Sequence, residues 1–259
     1  STLSSSSAAS DVYKRQVILA AIFAAFVYLQ RLNRDLDDET LCPDTVSGIT
    51  ILLVDVTDPM NLPQRQDFIN QLERLKNSIP RYGQLIVTKV DASQLLTPVM
   101  VRCNPGTAAD ASELTGNPGK LQRQWQEGFD RPLTSAFQAI TGASGAEVSP
   151  IFESIQSVAL TEFQKPGLEA VPKRLIVASD LLQNTEGISF YQGVPDATAF
   201  LNSPAFRRTR TDLRGVEVEL WQLQRGDADQ TQPRALSALW ERAIAEQGGE
   251  IIRIYNVSG

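Results

Sequence analysis

The sequence predicts an α/β fold: a three-layer sandwich around a mostly parallel central sheet, with one antiparallel edge hairpin. Three observations predict it. Short β-rich runs alternate with amphipathic stretches from about residue 44 to residue 259, the pattern of a sheet covered by helices. Two of those runs, GITILLVDV at 48–56 and KRLIVAS at 173–179, are nearly continuous in apolar residues, as strands buried on both faces are. Finally, only residues 92–97 separate the runs at 84–91 and 98–103. That is too short for a helical crossover, so these two strands pair as a hairpin.

The chain opens with STLSSSSAASDVYKRQ. Its first residue is serine, so a fragment or a processed product is expected. The DVYKRQ ending resembles translated sequencing-adapter sequence; the alternative is a disordered polar leader, and either way residues 1–16 stand outside the fold. Residues 17–29, VILAAIFAAFVYL, carry no charge and are apolar on every side. A spanning helix needs roughly 20 such residues, so a transmembrane helix over 17–30 that has lost its first turns is expected. A signal-peptide core is the rival, but no small-residue cleavage site follows Leu29. Residues 31–43 read as a polar stalk. Arg31 and Arg34 are mixed there with Asp35, Asp37, Asp38 and Glu39, so the positive-inside rule gives no orientation.

From residue 44 one domain accounts for the chain. After the first strand, Phe68, Leu72, Leu75 and Ile79 recur at helical spacing within 62–79. The hairpin strands follow, and then a Gly-, Pro- and Asn-rich loop over 104–119. A helix through Trp125, Phe129 and Phe137 is expected to kink near Pro132. A second Gly-rich break, TGASGAEV, precedes a helix over 150–163. The strand at 173–180, a helix near 197–206, a strand at 216–224, a helix at 232–247 and a strand from 250 complete the pattern.

Composition limits the chemistry. The chain of 259 residues has no histidine, two cysteines and a formal net charge of −6. Ser-His-Asp and Cys-His catalysis, His-ligated metals, four-cysteine zinc and iron–sulfur clusters are excluded. Mild acidity argues against a nucleic-acid surface. Oxygen donors remain. In an open parallel sheet ligands sit beyond the carboxyl ends of the strands, so the residues following each strand matter most. These are Asp55-Val-Thr57-Asp58-Pro59 after the first and Ser179-Asp180 after the central one, with Ser149-Pro150 brought to a helix start between them. Such a set suits a magnesium-like ion.

On these residues the body resembles a von Willebrand factor A (vWA) domain over about residues 46–257. That family has a hydrophobic strand ending in Asp-x-Ser-x-Ser, a mid-chain Thr before a helix and a later strand ending in Thr-Asp-Gly, which together form a metal-ion-dependent adhesion site. Asp55 and Thr57 match the first two positions, Ser149 the Thr, and Asp180 the last carboxylate. Pro59 stands where the second serine belongs, and Leu181 replaces the glycine. The resemblance implies a non-enzymatic domain, here behind the membrane anchor read at 17–30, that binds a partner protein's carboxylate through Mg²⁺ held by Asp55, Thr57, Ser149 and Asp180. A metal-free scaffold is the alternative within the family.

Bland readings stand beside these. Asp55 and Thr57 serve as helix caps, Ser149 is an N-cap ahead of Pro150, and Asp180 is a turn aspartate. A reading from another class makes Asp55 the nucleophile of a Mg²⁺-dependent phosphohydrolase, which requires a lysine and a further carboxylate beside it.

The resemblance also bears on Cys42 and Cys103. In a vWA-like sheet the third strand runs antiparallel, so its end meets the edge where the first strand begins. The two cysteines then stand two strand spacings apart, near 10 Å at ~4.8 Å each. A disulfide needs the Cys42-Pro43 lead-in to lean across the intervening strand. Such a bond implies an oxidising space, hence a single-pass protein of a bacterial inner membrane with its domain in the periplasm. The alternative is two buried thiols in a cytosolic domain.

Overall fold

The computed structural model describes residues 13–25, 35–55, 59–91, 96–111, 116–142, 148–226 and 231–258. The chain forms two compact units, Ser1–Leu36 and Asp37–Gly259. In the first, α1 is a helix over 13–25. Val17, Ile18, Leu19, Ile22 and Phe23 are exposed on it. Among the described residues no helix is long and apolar enough to cross a membrane. Residues 26–30 of the expected span lie outside the described residues.

The second unit carries a six-stranded sheet. Its strands are β1 (Gly48–Val54), β2 (Gly83–Lys89), β3 (Met100–Cys103), β4 (Lys173–Ser179), β7 (Val216–Leu223) and β8 (Glu250–Val257), in the order β3-β2-β1-β4-β7-β8. All neighbours are parallel except β2 and β3, which form the expected antiparallel hairpin. A separate two-residue ladder joins β5 (Asn184–Thr185) to β6 (Ile188–Ser189).

Side-chain alternation along the strands explains the three layers. Ile49, Ile51 and Leu53 of β1 join Leu175 and Val177 of β4 on one face. There they pack on α5 (Ile151–Val158) and α8 (Arg234–Glu246), where Phe152 stacks on Trp240 at 4.1 Å. Leu52, Val54, Ile176 and Ala178 point the other way, against α2 (Leu62–Ser78) and α4 (Arg131–Thr141). That core is centred on Phe68, stacked on Phe137 at 5.0 Å and edge-on to Trp221. Helix α2 is fixed at its start by Asn61 and Gln64 in a reciprocal capping box, as the sequence Asn-x-x-Gln allows.

The expected kink near Pro132 is a π-helical turn, Gln126–Asp130, between α3 (Pro118–Trp125) and α4. A proline at the second position of α4 has no N–H to donate to the preceding turn, and a wider turn absorbs the missing bond. The helix expected near 197–206 is two short ones, α6 (Ala197–Leu201) and α7 (Pro204–Thr209). The break comes where Ser203 caps the second helix and Pro204 opens it.

Cys42 and Cys103 are joined in a disulfide, with Cα atoms 4.8 Å apart. Its route differs from the expected one. Asn104 N–H bonds Gly83 C=O on β2, whereas Cys103 N–H bonds Thr40 C=O at 2.8 Å. The lead-in therefore lies along the outer side of β3 and does not lean across β2. It reaches β1 around the start of β2, where Ser47 bonds the carbonyls of Arg81 and Tyr82.

At the opposite edge, the β7–β8 register shifts so that Val218 faces Ile251 and Glu219 faces Arg253. Ile252 is the extra residue of a bulge. The shift brings Arg253 toward Glu219, a carboxylate 2% exposed that also accepts from Arg174 and from Trp221 Nε1.

Candidate functional site

The carboxyl ends of β1, β4 and β7 converge on a cavity of about 260 Å³. Asp55, Pro59, Met60, Asn61, Gln64, Asp180, Leu223, Gln224, Arg225 and Gly226 line it. Asp55 and Asp180, expected to share one edge, both reach this cavity. Ser149 joins them through its hydroxyl. Thr57 lies outside the described residues.

Asp55 follows β1 directly, and its N–H bonds Ala178 C=O of β4 at 2.8 Å. Its buried carboxylate accepts two hydroxyl protons at Oδ2, from Ser149 Oγ at 2.5 Å and Ser179 Oγ at 2.9 Å. This separates Asp55 from the helix-cap reading, since α2 is capped by Asn61. Ser149 is not a cap either: Pro150 occupies the N-cap position of α5, and Gln183 Oε1 accepts the Phe152 N–H at 3.0 Å. Ser149 is held in place by a two-way backbone bridge to Asn184. That bridge aims its hydroxyl at Asp55.

Asp180 follows β4. Its Oδ1 accepts the Leu182 N–H at 2.9 Å, and its Oδ2 accepts Tyr191 Oη–H at 3.1 Å and Arg225 Nη1 at 3.2 Å. The guanidinium of Arg225 also lies over the Tyr191 ring, 5.2 Å from its centre. Burial, together with the negative charge of Asp55, raises the Asp180 carboxyl to about 6, against the pull of the Leu182 amide, Arg225 and Tyr191.

Arg225 is positioned by Gln232. The Gln232 side chain accepts the Arg225 N–H at 2.8 Å and donates to Asp180 C=O and Leu223 C=O at 2.9 and 2.8 Å. One amide thus ties the ends of β4 and β7 together. Gln64 Nε2 binds Gln224 C=O from the α2 side.

Leu181 has φ 64°, in the left-handed region that favours glycine, where the resembled motif carries glycine. The side chain is fully buried. Its backbone is fastened by Ser179 Oγ, which accepts the Leu181 N–H, and by Trp240 Nε1, which donates to the Leu181 C=O at 2.9 Å.

Reading outward from the first and central strand ends finds Asp55 and Asp180, and the helix start at Pro150 adds Ser149, but Arg225, just beyond the end of β7, is missed. Tyr191 and Gln232 carry no sequence signal, because neither lies at the end of a main-sheet strand. Among the described residues no group of three His, Cys, Asp or Glu side chains is arranged to hold a metal ion. The cation against Asp180 is Arg225, and no lysine appears among the described residues lining the cavity.

No protein-family model matches the sequence, and no curated protein matches it. Solved structures of similar fold include the VWA domain of SpRpn10 (10% identity, 82% of this chain and 88% of that one, TM-score 0.43). The conserved hypothetical protein BatB from Bacteroides thetaiotaomicron is 14% identical over 81% and 91% of the two chains, TM-score 0.39. An aerotolerance-related membrane protein from Bacteroides fragilis NCTC 9343 is 12% identical over 82% and 92%, TM-score 0.39.

Proposed function

We propose that this chain is a vWA-like protein-interaction domain that captures a protein partner at its carboxyl edge without a divalent ion. The observation that carries the reading is the rim of the cavity. Leu62, next to the lining residue Asn61, is 83% exposed, and Tyr191, which bonds the lining residue Asp180, is 37% exposed. Large apolar side chains displayed around a half-enclosed polar pocket suit a partner surface.

The metal-free form is supported by the guanidinium at Asp180. A dication ligated by Asp180 would stand beside a fixed positive charge, and both oxygens of that carboxylate already accept protein donors. The Mg²⁺-dependent form, with Asp55, Thr57, Ser149 and Asp180 as ligands, is the second reading. The convergence of three of those residues favours it. A phosphohydrolase using Asp55 lacks support, as its lysine is missing from the described lining. We place the body in an oxidising space such as the periplasm, on the strength of the Cys42–Cys103 bond, with the apolar segment 17–30 as its membrane anchor.

Pull-down from native membranes with the full chain tests the proposal. Capture of the same partner in chelator and in Mg²⁺, lost in Leu62→Ser, is the expected result. Capture that requires Mg²⁺ would give the site to the second reading. Equal capture by wild type and Leu62→Ser would remove the rim from the interface.

A further inference from the structure

We infer that the Cys42–Cys103 disulfide is a reducible clasp that holds residues 37–42 on the outer edge of β3, and that a dithiol reductant releases them. The clasp lies at the amino edge of the sheet, since Cys103 pairs with Gln84 at the start of β2. It is remote from the carboxyl-edge cavity.

The lead-in has a shape of its own. Asp37 Oδ1 accepts from the Glu39 and Thr40 N–H groups and from Thr40 Oγ1, and backbone bonds join Asp37 to Leu41 and Cys42. This closes a tight turn, and the turn forces Leu41 to φ 58°. A non-glycine residue holds that conformation only where its surroundings impose it. Three attachments do so here: the disulfide, the Cys103 N–H to Thr40 C=O bond, and the Leu41 side chain seated against Gly128, where even one added carbon would fall 2.3 Å from Leu41 Cδ1. The disulfide is the covalent one of the three. With it cut, only noncovalent contacts hold the strained turn, the Cys103 N–H bond and the Leu41 seat on Gly128 among them.

The exchange is balanced. A thiolate of the dithiol attacks one sulfur, the other cysteine leaves as a thiolate, and the second thiol of the reductant closes a ring that frees the first cysteine. Two electrons pass to the protein, giving two thiols and a cyclic disulfide.

Release bares the outward N–H of Cys103 and opens the end of the groove of about 610 Å³ that Glu39 and Thr40 close, between β3 and α4.

Amide hydrogen exchange on the full chain, oxidised and after dithiothreitol, tests the inference. The Cys103 amide and the peptide covering 37–42 should exchange at least tenfold faster after reduction, with the β1 and β4 amides unchanged. Cys42→Ser should reproduce the reduced pattern without reductant. Unchanged exchange at 37–42 overturns the inference. So does a parallel rise across β1 and β4, which would make the bond a support of the whole fold and not a clasp on its edge.

Discussion

Arg225 Nη1 lies 3.2 Å from Asp180 Oδ2, so two residues 45 positions apart meet where a cation would be expected to bind. The guanidinium is a quarter exposed and the carboxylate nearly buried. Arg225→Ala leaves that carboxylate without its counter-charge. The cost should be about 2 kcal/mol at pH 8, below the 3–5 of a fully buried pair because solvent screens the arginine. Urea unfolding checks it. Added Mg²⁺ should raise the midpoint of the variant and leave the wild type unmoved. An equal Mg²⁺ response in both would end the idea that the guanidinium stands in for the ion.

Asp180 titrates near 6 in the folded protein, above the ordinary aspartate value of 3.8. The native state therefore binds more protons than the unfolded chain between these values. This contribution is fully present below about pH 4 and is lost as pH rises through 6, up to roughly 3 kcal/mol. Asp180→Asn removes the titration. Its stability relative to wild type should improve from pH 5 to pH 8, and parallel urea midpoints at the two pH values would disprove the assignment.

Removing the Asp55 carboxylate strands two buried hydroxyls. Asp55→Ala should cost about 2–4 kcal/mol, because Ser149 and Ser179 both lose their acceptor. Ser149→Ala removes one donor and should cost about 1–2 kcal/mol. Thermal or urea unfolding of both variants, and of the double mutant, gives the coupling. Strict additivity would show that the short contact carries no energy.

Leu181→Gly sets strain against burial. Glycine relieves the left-handed conformation, a gain of about 1 kcal/mol, and deletes a fully buried leucine, a loss of about 3–5. A net destabilisation of about 2–4 kcal/mol is expected. A more stable variant would show that the strain dominates.

The strands and helices of the body were legible because apolar periodicity is set by which face each residue buries. Gly48–Val54 and Lys173–Ser179 read as two-faced strands and are packed on both sides. The hairpin was legible from loop length alone. That Asp55 and Asp180 share one edge was legible from topology, since strand ends in a parallel sheet converge, and Ser149 was legible as the residue ahead of a helix start. What escaped depends on contacts that periodicity does not encode. Tyr191 reaches Asp180 from just beyond a two-residue ladder, and Gln232 acts through a side-chain amide that bonds three backbone groups. The path of the lead-in escaped for a similar reason: the resemblance placed Cys42 beside β1, whereas the outward-pointing Cys103 N–H on β3 holds Thr40, two residues before Cys42, at the far edge.

The bulge at Ile252 has an effect beyond pairing Arg253 with Glu219. The last strand of a sheet offers bare amides and carbonyls, a template on which a second chain can grow as amyloid does. An unbroken eight-residue strand rich in isoleucine, such as Glu250–Val257, would be a strong template. The extra residue breaks the alternation at mid-strand and puts an arginine beside the break. An incoming strand thus cannot stay in register for more than a few residues. Deleting Ile252 would restore the register and leave the molecule prone to polymerise along that side.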